Sequence, residues 1–369
     1  MRPALSADVA TPGGVAAEQS EMVPMQAPAG AGPLKGVFAF LRRHPILCLL
    51  LLTPGIPEYL SGSSPIAAIV LNPGQFVFQL VANLGLYGTG VLLIREAMVR
   101  WRKGWTSVLL LGGAYGILEE GVALSTLFYS KAAPVGDYGY FGHWLGVNWI
   151  WAASIVPFHA VFSISIPILL LSLALPSTRG KSLLSRRGLR SVFMILVIDV
   201  SILFLVVYYG EHFWMGFPVL LGSLVTISVL VYSAHRIPYS GRLARSDRPT
   251  RRPRTMALLG IAFFPAVLVT ESFGKALSNS PLLVFCLALL LQGLFLFYLL
   301  RVVGSSGNAP QIIAFTFGLI IPIAAIGLIS SITFPLALVG DAAFALFFRM
   351  LWRRYRVSTT PAVPTEGLG

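Results

Sequence analysis

Apolar runs of about twenty residues recur along almost the whole chain, and that recurrence sets what it can fold into. VFMILVIDVSILFLVV, residues 192–207, contains a single charge, Asp199. A run of this length crosses the hydrocarbon of a bilayer as one helix. Within lipid, backbone N–H and C=O groups must be satisfied internally, which leaves helices or a closed barrel. These runs lack the apolar–polar alternation of barrel strands. The expected fold class is therefore all-α, a polytopic membrane helix bundle. Composition agrees: 11% of residues are charged and 56% hydrophobic, whereas a soluble domain carries roughly 25% charged residues.

The pattern places about ten transmembrane helices near 45–62, 74–97, 105–128, 145–175, 191–209, 214–233, 256–273, 281–300, 311–331 and 334–350. PGIPE, with Pro54 and Pro57, breaks the first, and Pro157 and Pro167 predict a kink or strong tilt in the fourth. Residues 1–34 are rich in Ala, Pro and Gly and read as a disordered cytoplasmic tail, as do 357–369. No basic segment followed by an apolar core marks the first stretch as a signal peptide. A single membrane-embedded domain is expected over 35–356.

Charge asymmetry orients the helices. Lys35, Arg42 and Arg43 precede the first span, and Arg100, Arg102 and Lys103 follow the second. Further basic groups follow the fourth, sixth, eighth and tenth spans, while the intervening loops hold only Lys131 and Lys275. Basic residues at every second loop place both termini in the cytoplasm. The net charge of +13 is then a matter of topology and of contact with anionic lipid headgroups. Nucleic acid is not an expected partner, because the Arg-rich loop at 236–254 offers only Tyr239 for base stacking. The expected location is the plasma (cytoplasmic) membrane of a prokaryote. Cys48 and Cys286 lie far apart in apolar runs, with no spacing for a disulfide or a thiolate metal site.

A charged residue at the centre of a membrane helix costs about 2.5–3.5 kcal/mol, so each one calls for a reason. Glu119 and Glu120 stand side by side in YGILEEGVALSTLFYS, residues 115–130. At 1.5 Å per residue, Glu119 lies about 21 Å along its helix, roughly 9 Å below the outer face. His159, in the next span, falls at a similar depth, with Trp149 and Trp151 as outer anchors. His212 and Glu211, at an outer helix end, are within reach of that level. Gly112, Gly116 and Glu120 recur at i, i+4 and i+8, which puts Glu120 on a small-residue seam where a helix approaches closely. Glu119 lies about 100° around the helix, so the two acids are expected to face different neighbours, one a helix contact and the other a cavity. His159 shares its face with Ser163 and Ile155. Asp199 and Asp341 are the remaining intramembrane acids.

A tandem Glu-Glu on one membrane helix, a histidine on the next and another further on resembles the CAAX-protease and bacteriocin-processing (Abi) family of intramembrane metalloproteases. The family pattern is EExxxR, FxxxH and Hxxx(N/D). Here it corresponds to Glu119, Glu120 and Leu124, then Ile155 and His159, then His212 and Gly216. Leu124 stands in place of the arginine, Ile155 of the phenylalanine and Gly216 of the polar residue. The resemblance implies a catalytic set of Glu119, Glu120, His159 and His212. Glu120, His159 and His212 would hold a divalent metal such as zinc, and one glutamate would activate a water. A membrane protein or peptide would be the substrate. A non-proteolytic relative fits the missing arginine equally.

The competing reading is an ion-coupled secondary transporter that uses the buried carboxylates, with Pro- and Gly-broken helices around a midplane site. It expects Asp199 or Asp341 at the site and His212 remote from it. The protease reading expects all four site residues to converge on one cavity open to lipid or the outer face. No HExxH, GxSxG or Walker motif is present, and GLYGTG at 85–90 reads as close helix packing.

Overall fold

The structure is a computed structural model that describes residues 34–64, 68–238, 252–272, 274–304, 309–330 and 337–357. It is a bundle of helices, and a helical segment overlies each of the apolar runs. In chain order these are α1 (Leu34–Arg43), α2 (Pro45–Leu60) and α3 (Pro73–Arg100). Next come α4 (Trp105–Gly116, running on through Ile117–Ala123), α5 (Trp149–Ala174), α6 (Arg186–Gly210) and α7 (Phe217–Arg236). The last are α8 (Pro253–Ser272), α9 (Pro281–Gly304), α10 (Ala309–Ser330) and α11 (Ala337–Val357). Among the described residues, six helices are long and apolar enough to cross a membrane: α3, α5, α6, α7, α9 and α10. The larger number of ten spans exceeds what length and composition establish.

Local chemistry sets the helix starts. Pro73 occupies the first turn of α3, and the Asn72 side chain before it accepts from the Gln75 N–H at 3.2 Å. Ser185 caps α6 in the same way, accepting from the Gly188 N–H at 3.0 Å. Two expected spans are shorter than the hydropathy implied. Helix α4 stops at Ala123, not near 128, because Ser125 takes a left-handed backbone (φ 57°) and the Leu127 N–H folds back to the Glu120 carbonyl at 3.2 Å. The fourth span begins at Trp149, not 145. Before it lies an antiparallel hairpin of β1 (His143–Trp144) and β2 (Val147–Asn148). Leu145 and Gly146 at its tip both have positive φ, as a two-residue turn that follows strand twist requires.

Helix α5 is the central pillar: 72% of its most apolar window is buried, against 11% for α7. Helices α2, α3 and α4 pack on it, α6 and α7 close over α4, and α8 pairs with α10. The outer helices turn Phe217, Leu221, Tyr232 and Ile198 outward. Such an apolar exterior is one that a bilayer covers. The expected tails and the Arg-rich loop fall mostly at 1–33, 239–251 and 358–369, outside the described residues.

Several basic residues assigned to lipid headgroups are engaged within the protein. Arg100 donates to Glu96 at 3.0 Å and to Ser182 Oγ at 2.8 Å, and Lys103 Nζ donates to the Ile237 carbonyl at 2.9 Å. Arg179 and Arg354 donate to the carbonyls of Ser172 (2.9 Å) and Ala174 (2.6 Å), at the end of α5 where helix carbonyls lack intrahelical partners. Glu96 is fully buried and also accepts from Arg95 (3.0 Å) and the Leu183 N–H (2.7 Å), which ties the segment before α6 to the end of α3.

The seam between α4 and α5 depends on glycine. A Cβ at Gly112 would lie 2.7 Å from Ala160 Cα, and one at Gly116 would lie 3.1 Å from the Val156 carbonyl. Both obstacles are backbone or next to it and cannot swing aside. Gly112→Val is expected to cost about 1–3 kcal/mol, read as a lower unfolding midpoint in detergent. Gly222→Val on α7 meets nothing within 4 Å and should stay within about 0.5 kcal/mol.

Candidate functional site

The helices that converge at mid-bundle share a backbone irregularity. Each of α2, α3, α4 and α5 relaxes into a π-helical stretch: Gly55–Leu60, Leu84–Gly88, Ile117–Ala123 and His159–Ser165. Such wide turns are rare and gather at functional sites. Proline helps to produce them, since Pro54, Pro57 and Pro157 each remove an N–H from the regular ladder. The expected break at PGIPE is thus a change of helical pitch within α2, not its end. The stretches carry Glu58, Tyr87, the pair Glu119 and Glu120, and the pair His159 and Ser163.

The Gly112–Gly116 seam lets α5 approach closely enough for His159 to meet both glutamates. Its Nε2 lies 2.9 Å from Glu120 Oε1, and its Nδ1 lies 3.0 Å from Glu119 Oε2. Exposure is 1% for Glu119, 6% for Glu120 and 2% for His159. The expectation that the two acids face different neighbours is corrected here. The wider π turn narrows the angle between successive residues, so both carboxylates reach opposite edges of one imidazole.

The surroundings fix the ring. Ser163 Oγ lies 3.0 Å from His159 Nδ1, one helical turn on, as their shared face implied. Nδ1 is aligned with that hydroxyl, and Glu119 Oε2 has no hydrogen-bond partner. The Thr126 hydroxyl donates to Glu120 Oε2 and itself accepts from Trp151 Nε1 at 3.1 Å. Tyr87 and Tyr115 stand beside the histidine, with ring centroids 6.0 and 6.2 Å away. Tyr87 donates to Glu58 Oε1 at 2.6 Å, and Ser64 donates to Glu58 Oε2 at 2.9 Å. Tyr115 Oη is buried beside Glu119 without a hydrogen bond of good geometry.

Charge is unbalanced in this cluster. The ion pairs of Glu119 and Glu120 are with His159, and no Lys or Arg salt bridge reaches either among the described residues. Even a doubly protonated imidazole offsets only one of two carboxylates, and an uncompensated buried charge costs several kcal/mol. A proton or a cation must make up the difference. Glu119, Glu120 and His159 each offer a ligand atom, all within 4.8 Å of one another. Two carboxylates and an imidazole suit zinc and similar divalent ions, and three protein ligands leave a fourth position open. Glu119 Oε2, whose contact with His159 is an ion pair and not an aligned hydrogen bond, also fits a site made to take a further partner.

His212 is not brought to this cluster. It sits exposed with positive φ (51°) in the segment between α6 and α7, where a side chain faces away from the bundle core. Glu211 beside it is also exposed. Asp341 is half-buried on α11. Asp199 packs against α3, where a Cβ on Gly85 would lie 2.7 Å from its Oδ1, and its Oδ2 is buried without a partner. Sequence reasoning passed over Glu58, Tyr87, Tyr115 and Thr126. Glu58 had a signal, being a lone acid inside an apolar run, but it was subsumed in the proline break. Tyr87 was hidden in GLYGTG.

Removing the shared partner should be costly. His159→Ala leaves two buried carboxylates facing each other and is expected to lower stability by about 3–5 kcal/mol. Ser163→Ala removes one hydrogen bond and should cost about 1 kcal/mol. Denaturant or thermal unfolding of both variants in detergent checks the difference.

No curated protein and no solved structure matches the chain. The comparisons give no support to the CAAX-protease resemblance, in keeping with Leu124, Ile155, Gly216 and the outlying His212. Residues 47–364 match one family over most of the chain, and the protein belongs to it: an uncharacterized membrane protein family.

Proposed function

We propose that this membrane protein is a metal-dependent hydrolase whose centre lies inside the helix bundle, with Glu119, Glu120 and His159 as ligands to one divalent ion, zinc or a close analogue. The observation that carries the reading is the meeting of two buried carboxylates on one imidazole, with no Lys or Arg paired to either among the described residues. Held by these three residues, such an ion would lower the pKa of a bound water and polarise a carbonyl. The chain's own residues do the rest. Glu120 and His159 are held by Thr126 and Ser163, and Tyr115, whose ring stands 6.2 Å from that of His159, would donate to a developing oxyanion. The substrate class is a peptide or membrane protein whose bond reaches the bundle through the bilayer. His212 has no part in this centre. The reading also includes ten crossings with both termini cytoplasmic, and location in a prokaryotic plasma membrane.

One observation favours a second reading, an ion-coupled carrier. Asp199 packs on the π-helical stretch of α3 with a buried, unpartnered oxygen, and His212 lies away from the cluster. The same glutamates would then bind the coupling ion in transit.

Metal analysis of the purified full-length protein against His159→Ala and Glu120→Gln tests the first reading. The wild type should retain about one equivalent of ion and both variants should lose it. Equal content in all three, or none in any, sinks it. For the carrier, reconstituted vesicles should show cation or proton flux that Asp199→Asn abolishes, and flux unchanged in that variant removes the second reading.

A further inference from the structure

Thr126 stands outside the helices and joins Glu120 to Trp151 on α5 and to Asn148 in the hairpin. It follows the end of α4, in the turn where the chain reverses toward the hairpin. It is 4% exposed, so its polar atoms must be satisfied from within the protein. Its hydroxyl donates to Glu120 Oε2 and lies 3.2 Å from the Glu120 carbonyl. The same oxygen accepts from Trp151 Nε1 at 3.1 Å, near the start of α5. Its backbone carbonyl accepts from Asn148 Nδ2 at 2.7 Å. Asn148 is fully buried, closes the β1–β2 hairpin, and places its Oδ1 2.6 Å from His143 Nδ1.

These bonds have a directional consequence for the metal centre. A carboxylate has two oxygens and can turn about its last bond. With Oε2 held by the Thr126 hydroxyl, Oε1 is the oxygen left toward His159. The hydroxyl cannot turn freely either, because Trp151 donates into it and so directs its own proton onto the carboxylate. We infer that Thr126 is the positioning residue of the centre: it selects the oxygen with which Glu120 meets the ion, and it fixes that choice to the outer hairpin through Asn148. The inference rests on the metal-site reading. Groups that orient a ligand typically change metal affinity by about 10–100-fold when removed.

The test uses the full-length protein in detergent, with zinc affinity measured by competition against a chelator and geometry by the visible absorption of bound Co(II). Thr126→Val keeps the shape and removes the hydroxyl. It is expected to weaken zinc binding about 10–100-fold and to alter the Co(II) spectrum. Thr126→Ser keeps the hydroxyl without the methyl, and should restore both affinity and spectrum. A merely structural role would not be rescued by serine in the spectrum while the unfolding midpoint of the valine variant stays near wild type. If wild type binds zinc and Thr126→Val binds it equally with an unchanged spectrum, the assignment of Thr126 is overturned and the metal site stands. If both variants lose affinity alike, the hydroxyl is not the cause and the assignment also falls. If wild type binds neither ion, the metal reading and this inference fall together.

Discussion

The close approach of α4 to α5 along Gly112 and Gly116 is the constraint on which the rest of the site depends. Hydrocarbon gives helices no solvent-driven reason to associate, so backbone proximity and polar contacts must hold them. The glycine seam supplies the proximity, bringing Ala160 and Val156 against α4. His159 then falls between Glu119 and Glu120. A side chain on either glycine would move the imidazole off its two partners. The seam and the polar cluster are thus one arrangement, in which small residues allow the contact and the charged residues make it specific.

The π-helical stretches solve a geometric problem that regular helices would leave. Adjacent residues in an α-helix diverge by about 100°, too far for both carboxylates to serve one ring comfortably. Widening the turn at Ile117–Ala123 brings them to the same ring. The stretches on α2 and α3 turn Glu58 and Tyr87 toward each other. Irregular pitch thus occurs in all four helices around the buried charge, a pairing common at functional sites.

Basic residues in this protein act on two scales. Their alternation along the sequence is the ground for the proposed orientation of the helices. In the fold, Arg100, Lys103, Arg179 and Arg354 also satisfy carbonyls or carboxylates at helix ends. Glu96 was not singled out from the sequence, because an acid beside two arginines at the end of a span reads as solvated charge. Burial turns it into the anchor of the segment before α6.

The sequence by itself determined the bundle of apolar helices, because continuous apolar runs have no other stable form in lipid. It also determined the phase of Gly112, Gly116 and Glu120 and the turn that joins His159 to Ser163, since helical periodicity is local. Tertiary structure decided the rest. It placed Glu119 on the same ring as Glu120, through a change of pitch that no periodicity of 3.6 reveals. It left His212 outside, exposed in the segment between α6 and α7, where packing and not hydropathy sets which side chains turn inward. It also recruited Glu58, Tyr87 and Thr126, whose partners lie on other segments and are set by packing, not by spacing along the chain.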